Sequence, residues 1–237
     1  MTPSRTSLPR SLPEDGVVDV WILDLTAPWC DGLADRGITS DAERKRADRM
    51  ATDKLRRRLL ARRSAMRYVL AHYLRRDAAE VEVVTAPGGK PVLVPAEGVT
   101  FPFSVGHSGD LYGVAVGAST SIGFDIERRR TVPRADGIAT RWFDAGEAQA
   151  LEGLEGEALE REFMRIWTAK EALAKRHGAG LRLMMRGDME ELDTEAAASE
   201  GRLRWLLPRE EYHVAVASTD PIRTVRLVMP DDDEWIR

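Results

Sequence analysis

The chain has 237 residues, 43% of them hydrophobic and 31% charged, with a formal net charge of -4. That balance is the balance of a soluble globular protein with one large domain or two of roughly 110 residues each. No apolar run approaches the roughly 18 residues a membrane span needs, and one cysteine, Cys30, excludes an internal disulfide and fits a reducing cytoplasm.

Residues 1–14 are rich in Pro, Ser, Thr and Arg, lack the apolar centre of a signal peptide, and are expected to be a disordered lead-in. Val17 to Leu25 alternates and is β-rich, so it predicts a strand. From Asp41 to Arg76 there are thirteen Lys or Arg against four Asp or Glu. Thr39-Ser40-Asp41 can cap a helix through this block, and Asp53 a second one. Leu55, Leu59, Met66 and Leu70 recur at helical spacing and predict a buried stripe, with Arg58, Arg62, Arg63 and Arg67 on flanking faces. The charge block fits either a polyanion contact or a solvated helix face.

Short strands are expected at Val81 to Thr85 and Pro91 to Val94, around the turn Pro87-Gly88-Gly89-Lys90. Phe101 to Val105 leads into a polar loop, Gly106-His107-Ser108-Gly109-Asp110. Leu111 to Val116 and Ser121 to Glu127 predict two more strands. Asp144 caps a short helix. Glu157 to His177 predicts a long one, stopped by Gly178-Ala179-Gly180. Leu203 to Leu207, Tyr212 to Ala217 and Thr224 to Val228 predict strands, and Pro230 to Arg237 an acidic frayed tail. One echo joins the halves: Tyr112, Val114, Ala115 and Val116 recur as Tyr212, Val214, Ala215 and Val216, 100 residues on. The expectation is an α+β chain of two similar pseudo-symmetric α/β halves, residues 15–119 and 120–237, with a site in the cleft between them.

Two stretches carry chemistry. In Gly123-Phe124-Asp125-Ile126-Glu127 a strand points Asp125 and Glu127 to one face. Paired carboxylates fit a hard-oxygen Mg2+ site, or two solvated acids at a strand end. In Trp167 to Lys175, Glu171 and Lys175 stand one turn apart, with Lys170 about 100° round the helix. Such a pair is commonly a surface ornament. Here the preceding residues, Phe163, Met164, Ile166 and Trp167, make the helix apolar over much of its girth. His107, beside Ser108 and glycine, suits an anion, and Lys90 in its rigid turn suits a phosphate. Cys30, outside any motif, is expected to be structural. Leu181 to Met185 fits core packing better than a partner helix.

The ordered motifs G-K-P, F-S-V-x-H-S-G, I-G-x-D-I-E and W-T-x-K-E-A-x-x-K, over Gly89 to Lys175, resemble those of the Sfp-type 4′-phosphopantetheinyl transferases of the holo-acyl-carrier-protein synthase superfamily. The preceding Arg helix and the G-x-G-L run at Gly178 to Leu181 resemble that family too. The resemblance implies metal ligation by Asp125, Glu127 and Glu171. It also implies an acid and lysine pair in Glu171 and Lys175, and coenzyme A contacts from Lys90, His107, Lys170, Arg58 and Arg46. Gly106 stands where the family usually has a serine.

The implied reaction is Mg2+-dependent. A serine hydroxyl of an apo carrier protein (acyl, peptidyl or polyketide type) attacks the β-phosphate of coenzyme A, and 3′,5′-ADP leaves. The enzyme would be a cytoplasmic monomer without membrane or nucleic-acid partners. Two rival readings are a Mg2+-dependent nuclease and a non-catalytic nucleic-acid-binding module using the Arg-rich helix. The first is disfavoured because Glu127 is followed by Arg128 and Arg129 rather than a lysine two residues on, and the second because aromatics are sparse in the basic block.

Overall fold

The computed structural model describes residues 8–9, 11–95, 98–178, 192–231 and 233–236. Its first sheet is built on β1 (Val17–Asp24), which pairs antiparallel with β5 (Leu111–Gly117) and parallel with β9 (Thr224–Val228). Strand β4 (Phe103–Ser108) closes the edge, giving the order β4-β5-β1-β9. The alternation of β1 sends Val18, Val20 and Ile22 to one core and Trp21 and Leu23 to another. Asp19, also fully buried, is offset by Arg226, whose Nε and Nη2 donate to its two oxygens at 2.6 and 2.9 Å, and by the Tyr73 hydroxyl at 2.8 Å.

Three helices precede β4: α1 (Trp29–Asp35), α2 (Asp41–Ala47) and α3 (Asp53–Leu74). Ser40 and Glu43 form a reciprocal capping box on α2. The cap of α3 is Thr52, not Asp53, because its hydroxyl accepts the Leu55 N–H. Leu59, Met66 and Leu70 are buried as the stripe predicts, but Leu55 is 48% exposed. It sits in the first turn, one turn ahead of where α3 meets the rest of the protein. Helix α1 carries too few periodic positions to be seen in sequence, and buries Trp29, Cys30 and Leu33.

The hairpin β2 (Val83–Thr85) and β3 (Pro91–Leu93) turns at Gly88 and Gly89, both at positive φ. The expected loop at His107 is strand instead. Strand β4 runs through Ser108 because His107 pairs with Tyr112, leaving only Gly109 and Asp110 for the turn. The expected frayed tail is packed. Trp235 is 1% exposed among Trp21 and Trp29, and its carbonyl lies 2.6 Å from His72 Nε2.

The second sheet has the order β6-β8-β7, from β6 (Ile122–Arg128), β8 (Tyr212–Ser218) and β7 (Leu203–Leu206). Between β6 and β7 come α4 (Ala135–Trp142), α5 (Ala145–Gln149), the long α6 (Gly156–Arg176) and α7 (Thr194–Ser199). Ile122, Phe124 and Ile126 face the first sheet and share its core with Val18, Val20 and Ile22. The sheets meet along β4 and β6 through side chains: the Ser104 hydroxyl accepts the Phe124 N–H and the Ser108 hydroxyl the Arg128 N–H, both at 3.0 Å. Among the described residues no helix is long and apolar enough to cross a membrane.

Gly123 sets the distance between β6 and α6. A Cβ there would overlap the carbonyl oxygen of Ala172 and crowd the backbone nitrogen of Arg176. Gly123→Ala is therefore expected to destabilise by about 2–3 kcal/mol through overpacking, read as a lower urea midpoint. An unchanged midpoint would show that α6 has room to shift.

Candidate active site

Strand alternation turns Gly123, Asp125 and Glu127 away from the first sheet and toward α6. That helix packs on the sheet through Ala169, Ala172 and Leu173, against Ala215 and Ala217 of β8. One turn apart on α6, Glu171 and Lys175 lean back toward β6. Lys175 Nζ donates to Asp125 Oδ1 at 2.6 Å, so acid and base from stretches fifty residues apart meet in one ion pair. Glu127 Oε2 accepts from Ser108 Oγ at 2.7 Å and from Arg130 Nη1 at 3.2 Å.

The cluster holds three carboxylates against the half-buried Lys175 ammonium and the exposed Arg130 guanidinium. Burial pushes the Asp125 carboxyl up to about 6, with Lys175 pulling the other way. Burial, then the charge on Asp125, pushes Glu171 up to about 7. Burial depresses Lys175, but Asp125, Glu171 and Glu127 outweigh it and its ammonium is held above its usual value. Asp125 Oδ2 is buried with no hydrogen-bond partner. Among the described residues no three ligand-type side chains already stand close enough together to share an ion. Excess negative charge, hard oxygens and one orphaned carboxylate oxygen nevertheless suit a divalent cation that brings other ligands with it.

The remaining candidates divide. Lys90 reaches across from the hairpin, and its Nζ donates to Ile122 O at 2.7 Å and Lys175 O at 3.0 Å. Burial lowers its pKa to about 8. It therefore fastens the start of β6 to the end of α6 beside the cluster. Lys170, expected on the coenzyme side, is not brought to the cluster. It is fully buried, with Nζ 2.7 Å from Glu147 Oε2 and 3.1 Å from Leu192 O. One residue of helix rotation turns it from the sheet to the α5 side, where Thr194 also donates to Glu147. His107 is exposed on β4. Arg58 donates to Gly109 O and pairs with Asp110 at the turn beyond β4, and Arg46 is exposed on α2.

Gly106 is explained by packing. It faces Gly113 across the ladder, and the Phe124 ring lies over the pair. A Cβ at 106 would come within 3.3 Å of that ring, so a serine there would need the ring to give way. Sequence reasoning missed Ser108 and Glu147. Ser108 was hidden because Ser104, Gly106 and Ser108 share a face only once the stretch is known to be strand. Glu147 was hidden because the partner of a buried lysine is fixed by tertiary packing. Gly180 and Leu181 to Met185 lie outside the described residues.

The family model described as the 4′-phosphopantetheinyl transferase superfamily matches residues 121–226, which include β6, α6 and the whole cluster. The 4′-phosphopantetheinyl transferase HetI of Nostoc sp. is 31% identical over 208 residues, covering 84% of this chain and 86% of its own length. A Synechocystis sp. relative is 35% identical over 164 residues, covering 68% of this chain and 65% of its own. The 4′-phosphopantetheinyl transferase psf-1 of Bacillus pumilus is 34% identical over 140 residues, covering 56% of this chain and 57% of its own. With an acid and lysine cluster inside the matched region and a relative aligned over nearly its full length, this chain belongs to the 4′-phosphopantetheinyl transferase superfamily.

Proposed function

We propose that this protein transfers 4′-phosphopantetheine from coenzyme A to a serine hydroxyl of a carrier protein, releasing 3′,5′-ADP. The observation that carries the reading is the meeting of Asp125, Glu127, Glu171 and Lys175 around one ion pair. The serine oxygen bonds to the β-phosphorus as the bond to the departing 3′,5′-ADP oxygen breaks. Glu171 is placed to accept the serine proton directly or through water, and a cation bound beside it would keep it ionised for that role. Lys175, oriented by Asp125, would donate to the phosphate oxygens that gain charge.

Asp125, Glu127 and Glu171 would hold Mg2+. Bound there, the ion would neutralise pyrophosphate charge and polarise the β-phosphorus. The unpartnered Asp125 Oδ2 supports this assignment. Ser108 fixes Glu127 and Lys90 fixes the helix end, so both act by positioning.

We place the coenzyme across two pseudo-symmetric halves, residues 15–119 and 120–237. Matching strand orders, β4-β5-β1 and β7-β8-β6, support this reading, as does the echo of β5 in β8. Strand β9 returns to pair with β1, tying the second half into the first sheet. One chain then supplies both sides of the cleft, and a monomer in the cytoplasm suffices. The Arg-rich block suits nucleic acid poorly because Arg44, Arg56, Arg57, Arg58, Arg63 and Arg67 already hold carboxylates of this chain.

Incubation with apo carrier protein, coenzyme A and Mg2+ is expected to add the mass of one phosphopantetheine to the carrier. No gain on acyl, peptidyl or polyketide carriers would sink the reading. Glu171→Gln is expected to lower turnover by about a hundredfold or more while coenzyme A binding, read by calorimetry, stays within about threefold; undiminished turnover would remove Glu171 from the mechanism. The same variant has a stability signature. Glu171 titrates near 7 when folded against an ordinary 4.5, so the folded state holds its proton more tightly. Stability is lost as pH rises from the unfolded value through the folded one. In chelator, Glu171→Gln should melt above the parent at pH 8 and level with it near pH 4. A lower melting point at pH 8 would contradict the crowding of charge described here.

A further inference from the structure

Both carboxylates of β6 already carry an organic cation. Asp125 Oδ1 holds the Lys175 ammonium at 2.6 Å, and Glu127 Oε2 holds the Arg130 guanidinium at 3.2 Å. Lys175 comes from α6, and Arg130 lies two residues past the end of β6. The two pairs differ in strength. Asp125 is buried and Lys175 half-buried, so water and salt screen their attraction less. Arg130 is exposed, and an exposed pair is weak. Glu171 makes no hydrogen bond or ion pair with the described residues, although the charge on Lys175 acts on it.

This arrangement opposes either ligand arriving alone. A divalent ion that approaches Asp125 and Glu127 meets an ammonium and a guanidinium on the same oxygens, and must displace them or lie beside them. A diphosphate without the ion meets three carboxylates and is repelled by them. Together the two ligands remove each other's obstacle. The ion neutralises the carboxylates, and the diphosphate oxygens offer Lys175 and Arg130 new anionic partners as they leave the old ones.

We propose that Lys175 and Arg130 are stand-in cations for the site, exchanged when a divalent ion and the diphosphate of coenzyme A enter together, so that each ligand binds poorly without the other. Lys175 is the stronger competitor and Arg130 a weaker one. The proposal rests on the transfer reaction and metal assignment given above. Coupling of this kind is reciprocal: the factor by which the ion tightens the coenzyme equals the factor by which the coenzyme tightens the ion.

The test uses Mn2+ as the probe ion at pH 8, above the values of about 6 and about 7 for Asp125 and Glu171. Calorimetry and electron paramagnetic resonance measure Mn2+ binding to the parent, Lys175→Met and Arg130→Gln, each with and without coenzyme A, after correction for the Mn2+–coenzyme A complex formed without protein. In the parent, coenzyme A is expected to tighten Mn2+ about tenfold or more. Lys175→Met is expected to bind Mn2+ alone about tenfold more tightly, because the competing ammonium is gone, and to bind it less tightly than the parent once coenzyme A is present. Arg130→Gln is expected to tighten Mn2+ alone about two- to fourfold. A lysine that only held the helix in place would weaken Mn2+ in both states when removed, and one that only met phosphate would leave Mn2+ alone unchanged. Either result would overturn the proposal, as would a parent in which coenzyme A leaves Mn2+ affinity unaltered. All three would leave the transferase reading in place if the carrier still gains mass. Should Lys175→Met lack a cooperative melt, Arg130→Gln decides, and unchanged or weaker Mn2+ binding there would overturn the proposal. A parent that binds neither Mn2+ nor coenzyme A would overturn both readings.

Discussion

The contact on which the site depends is the ion pair of buried Asp125 and half-buried Lys175. Each charge is costly to bury alone, and breaking such a pair leaves the other uncompensated. The pair therefore ties α6 to β6 beside their packing contacts, and it requires the close approach that Gly123 permits. Glu127 is held by Arg130 and Ser108, while Glu171 arrives as further negative charge beside the Asp125–Lys175 pair. Burial, then the charge on Asp125, raises Glu171 into the range where it can exchange a proton.

Around this contact the fold supplies supports that act from a distance. Lys90 spends both its hydrogen bonds on main-chain carbonyls at the two ends of the same strand and helix unit. Lys170, next to Glu171 in sequence, anchors the opposite side of α6 through Glu147. The motif W-T-x-K-E-A-x-x-K thus divides its charges by helix face. Glu171 and Lys175 serve the cluster, while Lys170 serves the stability of the helix that carries them.

The strands were legible from alternation in β1 and from short apolar β-rich runs in β5, β8 and β9, and the pairing of Asp125 with Glu127 on one face followed from the period of two. The long helix was legible from its apolar girth. What was hidden depended on partners far along the chain. His107 looked like loop because Ser, Gly and Asp surround it, yet pairing with β5 keeps it extended. The tail looked frayed because it is acidic, while Trp235 packs on the rings of Trp21, Trp29 and Tyr68, more than 150 positions earlier. Leu55 fits the helical stripe, but period alone does not show where a helix leaves its neighbours. Lys170 was misplaced for a similar reason: spacing gives the angle around a helix, and only packing says what lies at that angle.

The meeting of the two sheets has a mechanical consequence. Ser104 and Ser108 receive N–H groups from Phe124 and Arg128, four residues apart on each strand, so β4 and β6 run side by side in the same direction. Hydroxyls stand where a ladder would have carbonyls. The joint is therefore made by two hydroxyl contacts and the shared apolar core rather than by a continuous ladder. Because Ser108 also holds Glu127, one hydroxyl joins the seam between the sheets to a carboxylate of the cluster.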